Sequence, residues 1–384
     1  MTASAAIGGI RRNDKTGAIG LFSSERYPPY NRPPLSKKLW IDERLEDIWC
    51  RSDFASLGVT EHLTTSITHL DPNTHSVEDD KGGTWTYGKL LLATGGSPRR
   101  LSGQDPGVVY FRNLDDYLKV YQATKNDAHV VIVGAGFIGS ELAAVLSMRG
   151  VRVTMVFPET HLLASRFPRD LTKYLEQVYQ QHGVQLLAGH KVTDVERRGG
   201  QSVLTFGDGT SLTGDLVVAG IGLKPNTELA DKAGIEIGDG ILVNAQLQTS
   251  VGDIFAAGDV ASFRLPHLSH RLRLEHEDNA MVQGRMAGEN MAGAGKSYLH
   301  LPFFYSDLYT MGYEAVGTID SQLEVYADWT SFGEEGVLYY LNNRQVVGVV
   351  NWNVWDSIPA ARQLITEGLT VDHPKELKGR IGSP

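Results

Sequence analysis

Hydrophobic residues along this chain follow two periods, and the places where one gives way to the other mark its elements. Solid apolar runs at residues 90–93, 130–133, 216–219 and 254–257 read as strands buried on both faces, the pattern of a parallel sheet. Residues 18–23 and 151–157 read as further strands. Helical patterns lie between them, at residues 2–12, 113–126, 140–148 and 275–291. Pro168 opens an amphipathic helix with Leu171, Leu175 and Val178 on one face and Gly183 as its C-cap. Alternation around Gly199-Gly200 and Asp208-Gly209 predicts a meander of hairpins over residues 190–214. Near the end, residues 337–341 and 346–350 flank the turn Asn342-Asn343-Arg344, and a helix follows at about 359–368. Strands alternating with helices, then a tail of different character, predict an α/β chain.

One junction carries chemistry. The strand at 130–133 enters Gly134-Ala135-Gly136-Phe137-Ile138-Gly139, a helix leaves it, a second strand ends at Phe157, and Glu159 follows. Gly134 permits a tight turn, Gly136 lets backbone approach a pyrophosphate, and Gly139 lets helix and strand pack closely. Free N–H groups at the helix start face the phosphate charge. Glu159 can accept hydrogen bonds from both ribose hydroxyls and repels a 2′-phosphate, which favours NAD over NADP.

The helix at 2–12, the strand at 18–23 and Glu25 look like a second copy of the same unit without its opening strand and glycine turn. About ten N-terminal residues are then expected to be missing from a complete unit, the other reading being a plain surface helix. Paired prolines in Tyr30-Asn31-Arg32-Pro33-Pro34-Leu35-Ser36-Lys37 predict a rigid, extended connection that holds Arg32 and Lys37 in place. The strand at 254–257 delivers Gly258-Asp259 to its C-terminal edge, where α/β proteins bind ligands and where a carboxylate suits a sugar or ribitol hydroxyl.

Composition narrows the classes. At 384 residues, two or three domains are expected, and 41% hydrophobic content is enough for their cores. A net charge of −9 argues against nucleic acid as a partner, and no apolar stretch approaches the roughly 20 residues that span a bilayer. The first residues lack the layout of a signal peptide, so a cytoplasmic location is expected. A single cysteine, Cys50, excludes an intramolecular disulfide, a redox-active pair and a cysteine-based metal site; no metal is expected, and Cys50 itself reads as ordinary packing.

Together, Arg32-Pro33-Pro34-Leu35-Ser36-Lys37, Gly139-Ser140-Glu141-Leu142-Ala143, Phe157-Pro158-Glu159, Gly288-Glu289-Asn290-Met291, Ser306-Asp307-Leu308 and Gly312-Tyr313-Glu314-Ala315-Val316-Gly317 resemble the flavoprotein reductases of the pyridine nucleotide oxidoreductase superfamily. Within it, the chain resembles apoptosis-inducing factor and its bacterial relatives, with ferredoxin, rubredoxin and putidaredoxin reductases as near neighbours. The resemblance implies two Rossmann-like dinucleotide-binding domains and a C-terminal α+β domain. FAD would occupy residues 1–112 and 237–300, NAD(H) residues 113–236, and the last domain residues 301–384.

For FAD, the resemblance implies Glu25 at the adenosine ribose, Ile67 at the adenine, Arg32 and Arg112 near the phosphates and Asp259 near the ribitol. Lys37 would lie beside the flavin ring, paired with Glu141. Glu275 and His276 would stand where a helix start faces the pyrimidine edge, and Tyr305 would close over the ring in a place where many relatives carry tryptophan. For NAD, it implies Gly134, Ala135, Gly136, Phe137, Ile138, Gly139, Glu141, Glu159 and Gly222, with Glu314 and Asn353 as further contacts. Lys37, Glu141 and His276 are the candidates for a part in the chemistry.

The expected activity is hydride transfer from NADH to flavin, with electrons leaving to an iron–sulfur protein, a quinone or oxygen. A component serving ferredoxin or rubredoxin, an NADH-responsive sensor with slow turnover, and a remnant that has lost FAD are the alternatives. A homodimer is the candidate assembly. A role in apoptosis is not implied.

Overall fold

Two sets of residues, each discontinuous in sequence, form two compact units: Met1–Arg32, Arg44–Ser97 and Lys224–Pro302 make the first, and Pro33–Glu43, Pro98–Leu223 and Phe303–Pro384 the second. The computed structural model describes residues 1–382 apart from Glu43, Arg51, Ser52, Gln104, Asp105, Asn126, His267 and Ser269.

In the first unit, the helices Thr2–Asn13 and Glu277–Met291 lie against each other through glycines. A Cβ on Gly9 would fall 2.0 Å from the Arg285 carbonyl oxygen, and one on Gly288 would fall 2.0 Å from that of Ala6. Only hydrogen fits in such spaces, so the small residues of these helices set how closely they approach. Parallel pairing joins Ile19–Phe22 to Val59–His62, and Leu90–Leu92 to Ile254–Ala256. Three antiparallel strands, Ile67–Asp71, Ser76–Asp79 and Thr84–Thr86, form a separate small sheet.

The second unit is built on a five-stranded parallel sheet in the order Gln185–Ala188, Arg152–Phe157, His129–Val133, Leu216–Ala219, Val108–Tyr110. Its central strand is buried along Val130–Val133, as a strand covered on both faces must be. The expected meander is a three-stranded antiparallel sheet of Val192–Arg198, Gln201–Phe206 and Ser211–Gly214. The linker helix runs Leu114–Ala123 from a capping box of Asn113 and Asp116. Asn126, the last residue expected of it, lies outside the described residues. The C-terminal part is a five-stranded antiparallel sheet in the order Phe303–Leu308, Met311–Gly317, Gln345–Trp352, Glu335–Asn342, Glu324–Ser331, followed by the helix Ile358–Thr366. The α/β class with two dinucleotide-binding folds and a sheet-rich end is therefore as the sequence predicts.

One local expectation fails. Residues Pro33–Ser36 and Lys38–Trp40 are 3₁₀ turns rather than an extended connection. The φ that proline imposes, near −65°, is shared by 3₁₀ and extended backbone, so the ring alone does not choose between them. Here the Trp40 indole donates to the Leu35 carbonyl at 2.6 Å and closes the turn.

Candidate active site

In the second unit, the glycine turn has the geometry its spacing implies. Gly134 has φ +112°, and a Cβ there would stand 2.4 Å from the Gly220 carbonyl oxygen. A Cβ on Gly139 would stand 2.1 Å from the Gly134 oxygen, so this glycine is needed for helix to meet strand. Gly136 is different. It is exposed at the N-cap of the helix Phe137–Met148, and a Cβ there would meet nothing within 4 Å. The space is on the outside, where backbone can approach a phosphate group. Ala135 is buried, Ile138 is exposed, and Glu159 is exposed just past Arg152–Phe157. Phe137 lies 5.1 Å from the Phe304 ring, with the Arg166 guanidinium over it at 5.7 Å. Gly222, at φ +93°, accepts from the Arg99 amide at 2.9 Å.

Lys37 and Glu141 form a buried ion pair with Nζ to Oε1 at 2.8 Å and side chains 8% and 2% exposed. The same carboxylate accepts from Ser36 Oγ at 2.6 Å and from Ser306 Oγ at 2.7 Å. The Lys37 ammonium stands 5.0 Å from the centre of the Tyr305 ring, a cation–π contact. Next along, burial pushes the Asp307 carboxyl up, with Lys37 pulling it back and Glu141 adding to the rise.

Tyr305 pairs with Glu314 on the neighbouring strand, and Glu314 pairs in turn with Asn351. Directly opposed residues share a face of a sheet, so these three make one row. Burial, then the nearby Asp356 charge, raises the Glu314 carboxyl above its ordinary range. Its Oε2 is buried and has no partner among the described residues, and neither has either end of the Asn351 amide. Asn353, by contrast, is committed: its Oδ1 accepts from the Gly312 amide and its Nδ2 donates to the Glu334 carbonyl, both at 2.7 Å. Arg112 uses its backbone amide to reach Asp116 at 3.0 Å, ahead of the linker helix.

The first unit gathers a second set. Glu25, past the strand Ile19–Phe22, accepts from the Tyr30 hydroxyl at 2.5 Å and from the Arg32 guanidinium, which also lies 5.2 Å over the Tyr30 ring. Asp259 is 8% exposed in the 3₁₀ turn Gly258–Val260, and its charge is felt at Arg32. His276 is the N-cap of the helix Glu277–Met291, and Glu275 precedes it. Ile67 begins the strand Ile67–Asp71, where the register shifts by a bulge.

Two residues here have no signal in the chain's pattern. Arg273 donates to the Asp259 carbonyl at 3.3 Å, to Glu275 at 3.0 Å and to Asp239 at 2.8 Å, so it ties two of the expected positions together. Gln283 is fully buried; its Oε1 accepts from the Gly258 amide at 2.9 Å while its Nε2 has no partner among the described residues. Gln283 lies in a helix of small residues, and only that contrast hints at it.

Residues 3–284 match the family model described as pyridine nucleotide-disulphide oxidoreductase, and residues 287–334 and 330–367 match the C-terminal domain of mitochondrion-associated apoptosis-inducing factor. Apoptosis-inducing factor 1, mitochondrial, of Dictyostelium discoideum is 33% identical over 98% of this chain and 78% of its own length. The ferredoxin–NAD(+) reductase component of 3-phenylpropionate/cinnamic acid dioxygenase of Photorhabdus laumondii is 30% identical over 93% of this chain and 91% of its own. Among solved structures, the covalent putidaredoxin reductase–putidaredoxin complex aligns with a TM-score of 0.90 at 28% identity, covering 98% of this chain and 93% of the matched one. Among the described residues, no helix is long and apolar enough to cross a membrane.

Proposed function

The chain belongs to the pyridine nucleotide-disulphide oxidoreductase family, within which it is an AIF-like FAD-dependent NADH oxidoreductase, and from that premise we propose how its residues divide the work. When bound, FAD supplies the hydride acceptor and the store from which electrons pass to an external carrier. The groups of the first unit suit it. Arg32 offers a half-buried cation for phosphate, Asp259 a buried carboxylate for ribitol, Glu25 an acceptor for the adenosine ribose, and Gln283 a buried N–H₂ beside Gly258. Ile67 meets the adenine through backbone; the resemblance adds Arg112, a residue of the second unit, as a cation for the phosphates. Glu275 and His276 belong to the helix start that favours negative charge on the pyrimidine edge.

NADH lies along the glycine turn of the second unit, with Gly134, Ala135, Gly136 and Gly139 at the pyrophosphate and Glu159 at the ribose. Phe137, Ile138, Gly222 and Glu314 shape the nicotinamide end, and Asn353 holds the adjoining strand end through its two backbone contacts. Lys37, held by Glu141 and faced by Tyr305, presents a cation to the flavin. In domain terms, residues 1–112 and 237–300 hold FAD, 113–236 hold NAD(H), and 301–384 form a C-terminal α+β interface domain. Alignment at near-contact distance is the main service of these residues, since hydride transfer needs no proton donor.

With one cysteine, no dithiol relay can carry the electrons onward. A small iron–sulfur protein is the preferred acceptor, because two of the similar proteins are named for work with such carriers. A homodimer and a cytoplasmic location belong to the same proposal and are tested by light scattering with and without NADH and by cell fractionation. The observation that carries the reading is the Gly134–Glu159 turn in one compact unit with the buried Lys37–Glu141 pair. Its test is the visible spectrum of the FAD-loaded protein, titrated anaerobically with NADH and then with NADPH. NADH should bleach the flavin at far lower concentration, and Glu159→Ala should narrow that gap; a flavin that NADH leaves oxidised defeats the proposal.

A further inference from the structure

Three stretches far apart in sequence meet on one carboxylate. Glu141 comes from the helix after the glycine turn, Ser36 and Lys37 from the proline-rich turns, and Ser306 from the edge strand Phe303–Leu308 of the C-terminal sheet. Oε2 takes the Ser36 hydroxyl at 2.6 Å; Oε1 takes both the Ser306 hydroxyl at 2.7 Å and the Lys37 ammonium at 2.8 Å. Ser36 and Ser306 are each 2% exposed, so water cannot readily replace either hydroxyl. Residues 305 and 306 are consecutive, and both end at the ion pair: Tyr305 through its ring at Lys37 and Ser306 through its hydroxyl at Glu141.

A buried carboxylate with only an ammonium for company draws that ammonium in, because in low dielectric the pair attraction is strong and nothing else offsets the missing water. Two hydroxyl donors change the balance. They meet part of the carboxylate's demand with short charge-assisted hydrogen bonds and leave the ammonium less tightly claimed. An ammonium has three donors, and one is spent on Glu141.

We propose that Ser36 and Ser306 are positioning residues: by sharing the Glu141 carboxylate they weaken its claim on the Lys37 ammonium it contacts, so that the ammonium's remaining donors stay turned toward its ligand. This rests on the reading that Lys37 faces the flavin. The cation then stabilises the negative charge that reduction places there, so losing the serines lowers the flavin midpoint potential and slows reduction.

The test uses FAD-loaded full-length protein carrying Ser36→Ala, Ser306→Ala or Ser306→Thr, with Ser202→Ala as a control at a fully buried serine elsewhere in the same unit. Midpoint potential is measured by chemical reduction without NADH, and the reduction rate at saturating NADH by stopped flow. Each alanine variant should show a more negative potential and a rate lower by about tenfold, the scale of losing one charge-assisted hydrogen bond or a small misplacement at the reacting centre. Ser306→Thr should restore both, and Ser202→Ala should change neither. Potentials unchanged in both alanine variants, whatever their melting temperatures, overturn the proposal. Should one alanine variant fail to fold, the other decides. If NADH fails to reduce the wild-type protein while the potentials shift as expected, the assignment of NADH falls and the positioning role stands.

Discussion

Asn351 is fully buried with both ends of its amide unpartnered among the described residues, and its cross-strand neighbour Glu314 has one such oxygen. Each buried polar group without a hydrogen bond costs about 1–3 kcal/mol, whereas an apolar side chain of the same size removes the cost. Asn351→Leu should therefore raise the melting temperature by about 2–4 °C or more, taking about 1 kcal/mol as the least gain, and differential scanning calorimetry will read it. The Glu314 carboxyl makes a pH prediction. Burial raises it above the unfolded value of 4.5, so the folded protein holds its proton more tightly than the unfolded chain. Its stabilising contribution is thus full below pH 4.5 and disappears as pH rises through the folded value. Urea denaturation at a series of pH values should show this slope, and Glu314→Gln should flatten it. A wild-type slope of the opposite sign over that interval, lost in the variant, would show that the carboxyl is held ionised.

Elements explain why some of this was legible in the chain and some was not. The dinucleotide turn is local: strand, glycines, helix and acid follow within thirty residues of one another, as Val130 to Glu159 shows, so spacing suffices to find it. The Glu141 cluster is not local, since its hydroxyl partners lie 105 and 165 residues away. Ser36 and Ser306 stand in strings that carry the family resemblance, but nothing in either string points its hydroxyl at Glu141, and only folding brings them together. The proline turns failed for a different reason, because proline's φ fits two conformations and the Trp40 hydrogen bond selects between them. Arg273 and Gln283 stand only 14 and 25 residues from the backbone groups they fix, but no motif marks either contact. The two glycines of the turn can be told apart by experiment. Gly139→Ala forces a Cβ to 2.1 Å from a backbone oxygen and should destabilise the protein while weakening NADH binding. Gly136→Ala meets open space at an extended backbone, so its melting temperature should hold within about 1 °C. Its NADH affinity should nonetheless fall by roughly tenfold, as the added methyl occupies the approach to the pyrophosphate. Equal melting and equal affinity for Gly136→Ala would remove that turn from the binding site.

At the scale of the molecule, the assignment of cofactors to units has a consequence that can be measured residue by residue. The glycine turn and Glu159 belong wholly to the second unit, while Glu25, Arg32, Asp259 and Gln283 belong wholly to the first. A ligand that binds only the native state raises the free energy of local opening in the segments it contacts by RT ln(1 + [L]/Kd), and amide hydrogen exchange reports that energy along the chain. NAD⁺ added to the flavin-free protein should therefore slow exchange at residues 134–142 and 157–163 while leaving 254–260 unchanged. FAD should do the reverse in the first unit, slowing residues 19–32 and 254–260. The close contacts of Gly9 and Gly288 give this a control, because Gly288→Ala drives a Cβ to 2.0 Å from the Ala6 oxygen and disrupts the helix pair of the first unit. In that variant, protection by FAD should be lost and protection by NAD⁺ kept. NAD⁺ protection that appears in the first unit, or that vanishes with Gly288→Ala, would mean that the nucleotide sites are not divided between the units in this way.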